Sequence, residues 1–118
     1  EFTETVLKGC DLSGADLTDV VVRSSSFQKN TLTSAVLVRT TFRDTDLTDL
    51  LFEGVLEDCT FENCGFSRVT FQNATLHNTF FKSQRLKHIR FVDCTADRLT
   101  FEFLKNGKAD VSGIVVLE

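Results

Sequence analysis

The sequence contains no proline, tryptophan, tyrosine or methionine, yet it has twelve phenylalanines. A core that relies on one type of aromatic residue indicates a single packing environment that is repeated many times. No stretch approaches the roughly 20 consecutive apolar residues of a membrane span, and no signal sequence opens the chain. The formal net charge of -4 is too small to indicate nucleic acid or an anionic membrane as a direct electrostatic partner.

The length of 118 residues, with 42% of them apolar, is enough to bury one core. We therefore predict a single domain over residues 1–118. The dipeptides Glu1-Phe2 and Leu117-Glu118 are typical of cloning-site remnants, which would make the chain a fragment of a longer protein. Phe2 also fits the repeat of the chain, so both alternatives stay open.

Apolar residues recur at a spacing of five along nearly the whole chain. This period matches neither an α-helix nor a strand, so the chain must turn every five residues. One spacing of four, from Phe52 to Leu56, predicts a local bulge between Leu51 and Leu56. Ten of the twelve phenylalanines lie on these centre positions, which are Phe2, Leu7, Leu12, Leu17, Val22, Phe27, Leu32, Leu37, Phe42, Leu47, Phe52, Leu56, Phe61, Phe66, Phe71, Leu76, Phe81, Leu86, Phe91, Ala96, Phe101, Asn106, Val111 and Val116.

The residue two positions before each centre is usually small, as at Cys10, Ala15 and Ala35. Two units, Ala15-Asp16-Leu17-Thr18-Asp19 and Ala109-Asp110-Val111-Ser112-Gly113, resemble the A-(D/N)-L-x-x unit of the pentapeptide-repeat family. The resemblance implies a right-handed quadrilateral β-helix, in which four pentapeptides make one coil and both the centre and the small residue point inward. The number of units predicts about six coils. The chain departs from the pattern where the small position holds a large or polar residue, at Val20, Val69, Gln84, Ile89 and Leu99.

The charges separate along the sequence, because an acidic segment precedes an acid-free stretch that contains Arg68, Lys82, Arg85, Lys87 and Arg90. Stacking the coils at 20 residues, or 19 across the short spacing, brings opposite charges together instead. Neighbours about 4.8 Å apart with opposite charge are each worth about 0.2–1 kcal/mol at an exposed surface. The predicted columns are Arg43, Glu62, Lys82, Glu102; Asp19, Arg39, Asp58, Asn78, Arg98; and Lys29, Asp49, Arg68.

One column in the C-terminal half carries a single sign, and it consists of Arg68, His88 and Lys108. We predict these three residues as a candidate partner-binding site, with a solvated face as the alternative. Another column places His77 between Glu57 and Asp97, a set that suits proton transfer or one side of a metal site. A flat solenoid face lacks the pocket that catalysis requires, so we predict no enzyme, cofactor, metal or small-molecule substrate.

The four cysteines, Cys10, Cys59, Cys64 and Cys94, all occupy the small inward position and form no C-x-x-C pair. We interpret them as free buried thiols rather than disulfides or zinc ligands, which favours a reducing, cytoplasmic location. Asn73-Ala74-Thr75 is a glycosylation sequon with Asn73 in an outward position.

A rigid solenoid surface suits binding of another macromolecule, so the first hypothesis is a non-enzymatic protein-interaction or scaffold module. The second is a DNA-mimic protein acting on a topoisomerase such as gyrase, a role that the resemblance to gyrase-protecting pentapeptide-repeat proteins implies. The third is a luminal or extracellular recognition domain, similar to the luminal repeat of the synaptic vesicle glycoproteins. The partner's identity and the oligomeric state stay open.

Overall fold

The computed structural model describes residues 2–82, 86 and 88–117, with the side chains of Phe2 and Leu117 left aside. Within these residues the chain forms sixteen short strands and a helix. In chain order they are β1 (Phe2–Thr3), β2 (Val6–Lys8), β3 (Val21–Arg23), β4 (Ser26–Gln28), β5 (Thr31–Thr33), β6 (Leu37–Val38), β7 (Thr41–Arg43), β8 (Asp46–Thr48), β9 (Leu51–Glu57), β10 (Thr60–Glu62), β11 (Gly65–Ser67), β12 (Val69–His77), β13 (Phe80–Lys82), β14 (Ile89–Val92), β15 (Cys94–Asp97), α1 (Arg98–Asn106) and β16 (Ile114–Leu117).

Strands pair in parallel with the strands one coil before and after them, so the coils stack in register. Face 1 contains β1, β3, β7, β10 and β13, and face 2 contains β2, β4, β8 and β11. The long strands β9 and β12 run around the next corner, so their first halves lie on face 3 with β5 and β14. Their second halves lie on face 4 with β6, β15 and β16. The predicted quadrilateral β-helix is confirmed, with about five turns rather than six.

The corner residues, two positions after each centre, adopt left-handed backbone conformations. The non-glycine corners have φ between 49° and 66°. Aspartate, asparagine and glycine tolerate this region best, and they occupy many of the corners. The five-residue period therefore records a backbone requirement as well as a side-chain one. The non-glycine corners are Glu4, Asp19, Ser24, Lys29, Ser34, Arg39, Asp44, Asp49, Asp58, Asn63, Arg68, Asn73, Asn78, Asp93 and Lys108.

The centre residues form the core, and their phenylalanine rings stack from coil to coil. On face 1 the ring of Phe61 lies parallel to those of Phe42 and Phe81, with centroids 5.1 and 4.9 Å away. On face 3 Phe52 and Phe71 stack at 4.7 Å, and both meet Phe61 edge-on. Two ring columns thus interlock through T-shaped contacts, which are favourable for aromatic quadrupoles.

The small inward residues also link the coils through hydrogen bonds. The hydroxyl of Thr40 donates to the carbonyl of Leu17 at 2.7 Å, and the amide of Asn30 donates to the carbonyl of Leu7 at 3.1 Å. The thiols of Cys59, Cys64 and Cys94 make the same contact with the centre carbonyl one coil earlier, at 3.1, 3.3 and 3.0 Å. A donor of small size therefore suits this position better than an inert side chain of the same volume.

The predicted bulge is confirmed at Gly54. The pairing of β12 with β9 shifts register after Phe71, because Ala74 pairs with Gly54 while Phe71 pairs with Phe52. Gly54 therefore serves as both the corner and the small inward residue of this unit, and it does so with φ of 123°. That conformation is essentially closed to residues with a Cβ atom.

We expect Gly54→Ala to lower the free energy of unfolding by about 1–2 kcal/mol, because alanine is strained at this φ. Chemical denaturation followed by circular dichroism measures the change. Gly14→Asn is the matched control, since Gly14 has φ of 73° and open space around it, and asparagine accepts left-handed corners. Equal losses in the two variants would contradict the assignment of strain to Gly54.

The prediction of a sixth complete coil is wrong, because α1 replaces its first side. The side chain of Asp97 accepts a hydrogen bond from the backbone N–H of Thr100 at 3.1 Å and caps the helix. Leu104 is buried instead of the predicted centre Asn106, which is exposed. The helix contacts β13, and the chain then rejoins face 4 as β16. The predicted departure at Gln84 lies outside the described residues.

Candidate functional site

The predicted charge columns form ion pairs between adjacent coils. Arg39 binds Asp19 through two hydrogen bonds of 2.6 and 3.1 Å, and Arg43 binds Glu62 at 3.1 Å. The guanidinium of Arg39 lowers the pKa of Asp19. All four side chains are at least one-third exposed, so each pair contributes little to stability. Their main effect is to neutralise the surface locally.

Two of the columns are wrong where they enter α1. Arg98 and Glu102 lie on the helix and face each other four residues apart, at 3.8 Å. The carboxylate of Asp97 takes the predicted place of Arg98 and accepts a hydrogen bond from the backbone N–H of Asn78 at 2.9 Å. The helix start thus ended the regular stacking one residue earlier than the repeat predicts.

The structure places Arg68, His88 and Lys108 in different surroundings. Arg68 binds Asp49 with hydrogen bonds of 2.5 and 3.0 Å, and its guanidinium lowers the pKa of that carboxyl. His88 is exposed and adjoins Arg68, because the backbone N–H of Val69 donates to its carbonyl. Lys108 is exposed after the end of α1. The basic column therefore has one neutralised member and two exposed ones, and its role stays a prediction.

A groove runs along face 3, across the coils, and we call it the face-3 groove. Its N-terminal part has a volume of about 640 Å³ and is lined by Lys29, Thr31, Leu51, Thr70, Gln72 and Arg90, among others. Its C-terminal part, of about 780 Å³, is lined by Arg68, His88, Arg90, Asp93, Asp110 and Ser112, among others. The two parts share Thr70, Arg90 and Val92, so they are continuous. Of the predicted basic column, Arg68 and His88 line the groove and Lys108 does not.

Arg90 lies at the middle of the face-3 groove and was absent from the predicted column. It is exposed, and among the described residues it makes no ion pair, in contrast to Arg39, Arg43 and Arg68. Its neighbour one coil earlier, Thr70, is uncharged. The column had been drawn through the corner positions, whereas Arg90 follows a corner by two residues. Reading each outward position as a separate column would have found it.

A family model for pentapeptide repeats matches the chain with eight copies, over residues 1–23 and 10–49. The chain is a pentapeptide-repeat protein. Beyond residue 49 the same inward centres and left-handed corners continue as far as Asp97. The repeat architecture therefore extends well past the part that the family model matches.

Solved structures of QnrB1, a plasmid-mediated fluoroquinolone resistance protein, resemble this pentapeptide-repeat protein. The full-length QnrB1 structure is 12% identical in sequence with a TM-score of 0.42, and the match covers 98% of this chain and 84% of that chain. A trypsin-treated variant of QnrB1 is 14% identical with a TM-score of 0.37, over 99% and 84% of the two chains. Identities and TM-scores this low say nothing about shared activity. No characterised protein matches the sequence.

The pentapeptide-repeat stacking places His77 beside Glu57, as predicted, on the open surface of face 4. Burial acts to raise the pKa of Asp97, but hydrogen bonds from Thr100 and Asn78 outweigh it and lower that pKa. Asp97 is thereby committed to the helix cap. Among the described residues no three metal-ligating side chains form a cluster, and no helix has the length and apolar character of a membrane span.

The four cysteines of the pentapeptide-repeat coils are free, as predicted, although Cys10 is only half-buried. Burial raises the pKa of Cys59 and Cys94, and it raises the pKa of Cys64 to about 11. A thiol reacts through its thiolate, so these three should be inert in the folded protein. Asn73 of the sequon is exposed at a corner with φ of 50°, whereas Thr75 accepts a hydrogen bond from the hydroxyl of Thr95 at 3.3 Å.

We expect a maleimide reagent to label only Cys10 rapidly in the native protein. The other three thiols should react slower by a factor on the order of a thousand or more, because their exposure requires unfolding. Mass spectrometry of digested samples, labelled with and without denaturant, measures each site. Fewer than four labelled cysteines in denaturant, or native labelling of Cys64 as fast as that of Cys10, would contradict this expectation.

Proposed function

We propose that this pentapeptide-repeat protein is a non-enzymatic protein-interaction module that binds its partner along the face-3 groove. The carrying observation is the continuity of this groove across several coils, with exposed cations at its middle. The predicted partner-binding residues Arg68 and His88 line it, and Lys108 lies beyond its end. An elongated, shallow groove fits an extended stretch of another protein better than a small molecule, which requires enclosure.

The rigidity of the fold supports this role. Large centre side chains are almost fully buried, and small inward donors tie each coil to the next. A preformed binding surface loses little conformational entropy on association, so even a modest contact area can give useful affinity. The free thiols favour a reducing compartment such as the cytoplasm for this interaction.

The alternative role as a DNA mimic gains little from the surface charges. An acidic rod needs unpaired carboxylates in long rows, whereas Asp19, Glu62 and Asp49 each bind an arginine of the adjacent coil. A gyrase supercoiling assay tests this role, and we expect no protection or inhibition. The luminal alternative predicts a glycan on Asn73, which intact mass measurement before and after glycosidase treatment would reveal.

A photo-crosslinking amino acid at position 88 tests the proposed function. Expressed in cells of its source, the protein should form one discrete crosslinked product with another protein. The same group at position 8 is the matched control, because Lys8 is equally exposed but lies on face 2. The proposal fails if position 88 gives no discrete product, or if both positions give the same ones.

A further inference from the structure

We infer that the partner segment seated in the face-3 groove is an extended acidic peptide, held by Arg90 and Lys29 through two carboxylates about four residues apart. This inference rests on the proposed function and specifies the chemistry of the partner. It uses a residue, Arg90, that the repeat pattern left unassigned. The relevant observations are the pairing state of each cation, the spacing along the groove and the positions of the acids.

The cations of the groove differ in whether the fold already neutralises them. Arg68 is occupied by Asp49 through two hydrogen bonds. Lys29 and Arg90 are both exposed, and within the described part of the chain neither forms an ion pair. A guanidinium binds a carboxylate with charge-assisted, paired hydrogen bonds. Lys29 and Arg90 are therefore the two groups that an incoming carboxylate would meet.

The spacing of these two cations selects an extended ligand. The column Thr31, Leu51, Thr70 and Arg90 is stacked in register, and Lys29 adjoins Thr31. Three coil steps of about 4.8 Å separate their levels by about 14 Å. An extended chain advances about 3.3 Å per residue, so carboxylates four residues apart span about 13 Å. Leu51 and Val92 supply apolar contacts between the two ends, and Thr70 and Gln72 supply hydrogen-bonding groups.

The acids of the groove give it a direction. Asp93 and Asp110 line the C-terminal part, and the hydroxyl and backbone N–H of Ser112 lower the pKa of Asp110. These carboxylates would repel further negative charge beyond Arg90. The fitting peptide therefore carries its acidic residues over the N-terminal part of the groove and neutral or basic residues over the C-terminal part.

Fluorescence anisotropy with a defined peptide tests the inference. The probe is a labelled serine-rich peptide with two glutamates separated by three serines, and its control has glutamines in place of the glutamates. We expect the glutamate peptide to bind at least about tenfold more tightly, since hydrogen bonds to charged groups are worth about 1.5–3 kcal/mol. Arg90→Gln should remove most of this preference, and raising the ionic strength should weaken it.

Lys8→Gln is the matched control, because it removes one exposed positive charge from face 2 and leaves the face-3 groove intact. It should change the affinity less than twofold, and circular dichroism should show both variants to be folded. Equal binding of the two peptides, equal affinity of Arg90→Gln and wild type, or competition by inorganic phosphate as effective as by the peptide would each overturn the inference. A crosslinked partner at position 88 alongside such a result would leave the proposed function standing.

Discussion

Phe61→Ala should lower the free energy of unfolding by about 3–5 kcal/mol, the range for removing a fully buried aromatic side chain. The ring of Phe61 is 0% exposed and contacts the rings of Phe42, Phe52, Phe71 and Phe81. Its loss opens a cavity where the two ring columns meet, and stacked rings on both sides are held too firmly by their own coils to collapse into it. Chemical denaturation followed by circular dichroism measures the change.

Two matched variants separate volume from position. Phe61→Leu keeps most of the volume and restores a residue that other centres use, so it should cost less than about 1.5 kcal/mol. Phe103→Ala removes a half-buried ring on α1 with a contact to Phe80 at 5.3 Å, so it should cost about 1 kcal/mol. If Phe61→Ala were no more destabilising than Phe103→Ala, the ring columns would not be the main source of core stability.

Gly113→Ala should be similarly severe, with an expected loss of about 3 kcal/mol, at the upper end of the range for overpacking. A Cβ atom on Gly113 would lie 1.9 Å from the backbone carbonyl oxygen of Phe91. Neither backbone can yield easily, because Gly113 leads directly into β16 and its carbonyl accepts a hydrogen bond from the N–H of Cys94. We expect a lower thermal midpoint and faster proteolysis of the segment after α1.

Gly65→Ala is the matched control for Gly113→Ala. The nearest atom to its added Cβ would be the Asp46 Oδ1 at 2.9 Å, at the end of a side chain that can rotate away. It should change the free energy of unfolding by less than about 1 kcal/mol. A thermal midpoint for Gly113→Ala within a degree of wild type would show that the C-terminal cap can shift without loss of stability.

The repeat pattern predicted the inward residues and the stacking of the coils, and both are confirmed. Pairs such as Arg43 with Glu62 follow from the strict alignment of coils of 19 or 20 residues. The bulge also followed from spacing alone, because a missing residue must be absorbed at one corner. These features are set by a local period, which a sequence displays directly.

The helix α1 and the importance of Arg90 were not predicted, for different physical reasons. Phe101 kept the five-residue spacing, but the helix buries Leu104 and Thr100 instead. A local signal existed, since Asp97 stands at the N-cap and Gly107 at the C-cap. For Arg90 the deciding fact is the charge of its neighbours in space, which depends on the stacking of each outward column.

The coil geometry gives this protein two independent periods, and they respond differently to changes in chain length. Deleting one unit of five residues would keep every later centre inside the core, yet it would turn the rest of the chain by one face. Ion pairs such as that of Arg39 with Asp19 and the alignment along the face-3 groove would then be lost, while burial stayed nearly intact. Deleting a whole coil of 20 residues would shorten the rod and leave its faces in place. Insertions and deletions compatible with a binding surface should therefore come in whole coils, even though those compatible with folding can come in single units.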